Sequence, residues 1–155
     1  MIDNICKKIE NITLNKTLYF ILSFTWGLPL TLIGCVVALV LIIIGIKPKR
    51  FLYGFYFPTT NGSGFNMGPI AIVSKNSSEY LLKHEFGHSI QNCFFGPFVF
   101  FLVIIPSVIR FWYREYLVYT KQSTYKDLPP YDSAWFEGTA TSLGEKYLQH
   151  AGNNK

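Results

Sequence analysis

Two histidines four positions apart, the first followed by a glutamate, stand at His84-Glu85-Phe86-Gly87-His88. On an α-helix, residues at i and i+4 project from one face about one turn apart, so both imidazoles reach a single point. Two nitrogens placed that way share a tetrahedral zinc ion, and a carboxylate beside the first can take a proton from a water the ion activates. The spacing therefore predicts His84 and His88 as ligands of one Zn2+ per chain, with Glu85 as general base.

A zinc site that does chemistry needs a third protein ligand and an open position. The chain holds three histidines, and the remaining one, His150, falls near the C-terminal end. Glu137 is better placed. It belongs to the second turn of a predicted helix, with Ala140, Thr141 and Gly144 on its face at i+3, i+4 and i+7. Side chains that small let this helix approach the histidine helix closely. Asp132 is the other acidic candidate, with helix capping its more ordinary role. For a group that stabilises developing negative charge, Tyr131, Tyr147 and His150 are all open.

These residues need elements to position them. Asn76 with Glu79 three places on reads as a capping box, opening a helix over about 77–95 that Gly96-Pro97 closes. Upstream, residues 65–76 read as a short strand built on Ile70, Ile72 and Val73, which Pro69 confines to a sheet edge or to its own first residues. A turn-rich stretch, TTNGSG at 59–64, comes before it. Near the end, Pro129-Pro130 breaks the chain and Asp132 offers an N-cap for a last helix that starts at Ser133 and finishes near Gly152.

Composition points to a membrane. Half the residues are apolar, 17% are aromatic and only 15% are charged, well under the usual quarter for a soluble domain. Between Lys16 and Lys47 no charge occurs, so residues 17–46 read as one transmembrane helix, long enough to cross with tilt. The run is too long for a cleaved leader. FLYGFYFP at 51–58 suits an interfacial aromatic belt. Lys7, Lys8 and Lys16 before the span balance Lys47, Lys49 and Arg50 after it. Downstream Lys75, Lys83, Arg110 and Arg114 tip the remainder toward the cytoplasmic side. The formal charge of +5 is spread out, with no basic block of the kind that binds nucleic acid. Cys6, Cys35 and Cys93 are odd in number and far apart, so they form neither a disulfide framework nor a thiol metal site.

A second uncharged run, 93–109, carries prolines at 97 and 106 and is at the lower limit for a span. If it crossed the bilayer once, His88 and Glu137 would emerge on opposite sides and could not share an ion. It is therefore expected to be either a membrane-apposed segment that folds back or part of the domain core. The organisation expected is an N-terminal tail (1–16), a transmembrane helix (17–46) and a mainly helical α+β domain (47–155) with a short β element before the histidine helix.

LLKHEFGHSIQ and the distant WFEGTATSLG resemble the gluzincins, metallopeptidases with an HExxH helix and a glutamate on a later helix. HEFGHSIQ, FGPFVF, IPS and YDSAWFEGTA are more narrowly similar to a group of small bacterial membrane proteins with gluzincin-like motifs. The resemblance covers roughly residues 66–145. It implies a minimal zincin-like fold, with His84, His88 and Glu137 as zinc ligands, Glu85 as base, and the upstream strand as the edge that binds substrate. Many gluzincins carry an aspartate soon after the ligand glutamate; Thr141 stands at that place here, which leaves one histidine without its usual second partner.

The expectation is a membrane-anchored zinc metalloprotease acting on peptides or membrane-associated proteins at the bilayer, with no nucleic-acid partner. A zinc hydrolase of some other substrate, and a non-catalytic accessory or immunity protein that keeps the zinc scaffold, are the alternatives.

Overall fold

The computed structural model describes residues 2–59 and 64–153. Most of the expected turn at 59–64 lies outside the described residues. The chain is α+β and mainly helical, with six α-helices and one small mixed sheet among the described residues.

Residues 2–15, expected as a tail, carry helix α1 (Ile2–Asn11) and a capping turn. They dock on the last helix, α6 (Trp135–Asn153). There the Leu14 amide donates to the Tyr147 hydroxyl (2.6 Å), and Lys146 Nζ donates to the Glu10 and Ile12 carbonyls at the end of α1 (2.6 and 3.1 Å). A lysine at a helix C-terminus satisfies carbonyls the helix itself cannot.

The apolar run at 17–46 is not one helix. It forms α2 (Lys16–Phe24), opened by the Asn15 side chain, and α3 (Leu28–Ile43), and the two meet at 92°. Pro29 supplies the cause, since it lacks an amide proton and its ring would collide with the carbonyl four residues back. Thr25 Oγ1 donates to the Ile21 carbonyl (2.7 Å) at the break. No single helix of the described residues is long and apolar enough to cross a membrane.

Nor is this run appended to the domain. Tyr19, Ser23, Gly27 and Thr31 recur every four residues and make one polar stripe that docks on helix α4 (Glu79–Phe95). The Tyr19 and Ser89 hydroxyls hydrogen-bond to each other, Ser23 Oγ pairs with Cys93 Sγ (3.4 Å), and Asn92 Nδ2 donates to the Gly27 carbonyl (3.2 Å).

The sheet has the order β1 (Lys49–Phe51), β2 (Gly54–Thr59), β4 (Ile70–Ser74), β3 (Phe65–Met67). β1–β2 and β3–β4 are antiparallel, and β2–β4 is parallel. The aromatic segment 51–58 is largely strand. One expectation changes here: the Ile70–Ser74 strand is interior. Gly68, at φ +67°, allows the chain to double back, so β3 takes the edge instead.

Helix α4 starts at Glu79, two residues later than expected. Its cap is Ser78, whose hydroxyl accepts from the Leu81 amide (3.3 Å), rather than Asn76. Beyond it come a 3₁₀ turn (Gly96–Phe98), a π turn (Phe100–Ile104) and α5 (Ile105–Tyr119), so the Glu79–Phe98 and Phe100–Tyr119 limbs are bent by 118°. Residues 93–109 thus turn back on themselves, and part of this turn joins a core cluster through Val99 and Val103. The last helix begins at Trp135, because residues 131–133 form a separate 3₁₀ turn containing Asp132.

α4 and α6 pack backbone to backbone. A Cβ on Gly87 would stand 1.8 Å from the Ala140 carbonyl oxygen, and one on Gly144 would stand 1.9 Å from that of Lys83. Gly144→Ala must push the two helices apart; overpacking of this kind costs roughly 1–3 kcal/mol. Urea denaturation is expected to show that loss, with the midpoint lowered and the slope unchanged.

Candidate metal centre

His84 and His88 stand one turn apart on α4, and Glu137 comes from the first turn of α6, which the glycine contacts bring up against them. Three ligand atoms converge. His84 Nε2 lies 3.1 Å from Glu137 Oε2, His88 Nε2 lies 3.3 Å from the same oxygen, and the two nitrogens are 3.2 Å apart. Zinc bonds of about 2.0–2.1 Å in a tetrahedron place neighbouring ligands about 3.3 Å apart. The buried His84, His88 and Glu137 group can therefore hold a metal ion, and its spacing fits zinc.

The hydrogen bonds around the trio turn its inner atoms toward one another. Gln91 Nε2 donates to the Phe136 carbonyl (2.7 Å), so its Oε1 accepts from His88 Nδ1 (2.8 Å). That assigns the His88 proton to Nδ1 in the neutral ring and aims the Nε2 lone pair at a carboxylate oxygen. An acceptor facing an acceptor calls for a positive charge between them, which a proton on His88 or a bound metal ion supplies. Thr141 Oγ1 contacts His84 Nδ1 (2.9 Å), which gives that ring a partner on its outer nitrogen. Ser107 Oγ on α5 donates to Glu137 Oε1 (2.5 Å), leaving Oε2 as the single inward oxygen. Thr141→Val keeps the shape and removes the hydroxyl. Loss of such a supporting bond costs about 10–100-fold in metal affinity, which competitive zinc titration is expected to reproduce.

Charge follows from burial and pairing. Burial alone would raise Glu137, yet hydrogen bonds with His84 and His88 outweigh it and hold its carboxyl well below the usual range. For His88, burial opposes protonation, but the bond to Glu137 and the charge of Glu85 raise its pKa above the ordinary imidazole value. Glu85 is raised, foremost by burial, with both histidines pulling the other way. It lies next to the trio under Gly64, where a Cβ would come 2.1 Å from its Oε1.

The trio lines a cleft of about 570 Å³ together with Glu85, β3, the π turn and α5. A metal ion held by the three residues would face this cleft. Of the three candidates for charge stabilisation, Tyr131 lines this cleft, with its hydroxyl 3.4 Å from Ser107 Oγ. Tyr147 is buried in another core cluster, and His150 is exposed and bonded to the Lys146 carbonyl. Asp132 is not part of the trio.

Tyr131 is held in place by two arginines of α5, a link with no local signal in the sequence. The Arg110 and Arg114 guanidiniums lie 5.8 and 5.7 Å from its ring centroid, and both donate to carbonyls of 129–131. Both arginines thereby tie α5 to the 129–131 loop. Burial, above all, raises the Tyr131 hydroxyl above its ordinary pKa, so it stays a donor at neutral pH. Gln91, at i+3 from His88, was available from spacing alone; Ser107 was not, because its contact depends on the fold-back of 93–109.

No family model, no curated protein and no solved structure matches this chain.

Proposed function

We propose that the chain is a zinc-dependent metallopeptidase of the gluzincin type, working at a membrane. His84, His88 and Glu137 hold the ion in this reading, and Glu85 is the general base. The observation that carries it is the set of three donor atoms at tetrahedral separations, facing an open cleft with a buried carboxylate alongside. A zinc ion bound there supplies Lewis acidity to a scissile carbonyl and lowers the pKa of a water toward neutrality.

The chain's own residues do the rest. Glu85 takes the proton of the attacking water and passes it to the leaving amine. The Tyr131 hydroxyl donates to the oxyanion as charge develops. Phe65 and Asn66 of edge strand β3 line the cleft beside the metal trio. An extended peptide can add to that edge through backbone hydrogen bonds. Residues 47–155 are the catalytic domain on this view, and 17–46 are built into it as a membrane element.

The test is digestion of a complex peptide mixture by zinc-loaded protein in detergent, with Glu85→Gln as the control. Cleavage by the wild type alone is the expected result. Hydrolysis of lipid amides or esters without any peptide cleavage would move the assignment to a non-peptide zinc hydrolase.

A further inference from the structure

The two bent helix pairs meet at their elbows. Trp26, in the break between α2 and α3, has its ring 6.2 Å from that of Phe98, and the same ring fills the space over Gly96. Leu30 of α3 also packs in one cluster with Val99 and Val103 of the turn before α5. The outer faces of both pairs are apolar and bare: Val36, Leu39 and Ile43 on α3, Phe101, Ile109 and Trp112 beyond the second elbow, with Ile43 75% and Phe101 71% exposed. Faces of this extent mark an interaction site.

How the bilayer meets this face follows from what α3 touches. Its sixteen residues span about 24 Å, against about 30 Å of hydrocarbon. More decisively, its midpoint lies on the sheet, where a Cβ on Gly34 would stand 2.4 Å from the Met67 carbonyl oxygen. Small-sheet backbone with an open edge does not occur in lipid-exposed hydrocarbon. One side of α3 is therefore covered by protein from Leu30 to Ala38, and over that stretch only the opposite side can meet acyl chains. Lys16 and Lys47, at the two ends of the uncharged run, are exposed and suit anionic head groups. The cleft shares this face. Val108 and Trp112 line it while being 40% and 65% exposed, and Leu30, Val103 and Ile104 continue its apolar wall inward toward the metal trio.

From this we infer that the chain sits in one leaflet of an anionic bilayer without crossing it, and that the cleft opens sideways into that leaflet. Its substrate is then an apolar peptide segment already dissolved in the membrane, which enters past Val108 and Trp112. The substrate class rests on the peptidase reading; the seat in the leaflet does not.

The experiment reconstitutes the full chain in vesicles of phosphatidylcholine with one-third phosphatidylglycerol and needs neither zinc nor turnover. With Trp26 and Trp135 replaced by phenylalanine, Trp112 fluorescence is expected to fall at least twofold when the acyl chains carry bromine, and to resist aqueous iodide. Val108→Cys labelled with bimane is the second probe, should the tryptophan replacements disturb folding. Lys16→Cys and Lys47→Cys, in a Cys35→Ser background, are expected to react with an impermeant maleimide from the same side. Iodide quenching without bromine quenching overturns the lateral opening, and labelling from opposite sides overturns the single-leaflet seat. Failure of the peptidase reading would show instead as an absence of cleavage with both probes behaving as expected.

Discussion

Glu85→Gln is expected to keep about one zinc per chain and to lower peptide hydrolysis by about 10³-fold, within the range a general base contributes. The two effects separate because Glu85 is outside the three-atom metal group yet beside it. The amide matches the carboxylate in size, so it fits beneath Gly64 without new contacts. Burial is the foremost influence on this carboxyl and acts against its charge, so a neutral amide is no harder to bury and stability is not expected to fall. Elemental analysis alongside turnover of one peptide substrate decides the matter. Lost zinc would make Glu85 a ligand, and retained activity would remove it as the base.

The metal trio was legible because its signals are local. His84 and His88 are one helical turn apart in any α-helix. Glu137 announced itself through the small residues on its face, and Gly144 now meets the Lys83 backbone while Thr141 meets His84. Hydropathy over residues 17–46 was less informative, because it averages over a segment and ignores which face a residue occupies. Tyr19, Ser23, Gly27 and Thr31 were in view throughout as a four-residue repeat within an apolar run. A stripe of that kind belongs to a helix with a polar neighbour, and the neighbour is α4, through Ser89, Asn92 and Cys93.

The sheet was harder to read for a different reason. Phe55 and Phe57 gave the segment a membrane-belt look, though Phe57 is buried at 1% exposure within strand β2. Strand order depends on which segments meet across the chain, and a single sequence carries little of that. The parallel pairing of β2 with β4, reached after the β3 excursion, follows from the turn at Gly68 and its fit against Thr31. Ser107 and the Arg110–Tyr131 contact were hidden likewise. Each joins α5 to a residue more than twenty positions away, through the fold-back that only the two prolines hinted at.

Glu137→Ala is expected to abolish stoichiometric zinc binding, weakening affinity by more than about 100-fold, since a direct ligand matters more than the supporting bonds whose loss costs about 10–100-fold. Glu137 is fully buried, and its Oε2 meets both imidazoles. Neither of the other candidate ligands can take its place: Asp132 is outside the group, and His150 lies thirteen residues further along α6, about 20 Å away along the helix axis. Stability gives an independent readout. Zinc held in 100-fold excess over its dissociation constant raises the wild-type unfolding free energy by about 2.7 kcal/mol, and that increment should vanish in the variant. The apo variant should also fall below the apo wild type by roughly 1–3 kcal/mol, because Ser107 and the imidazoles lose a buried acceptor. Denaturation curves with and without zinc, on protein purified without a metal-chelating resin, measure both quantities. An unchanged zinc increment in the variant would mean that the ion does not rest on Glu137, and the three-ligand centre would have to be abandoned.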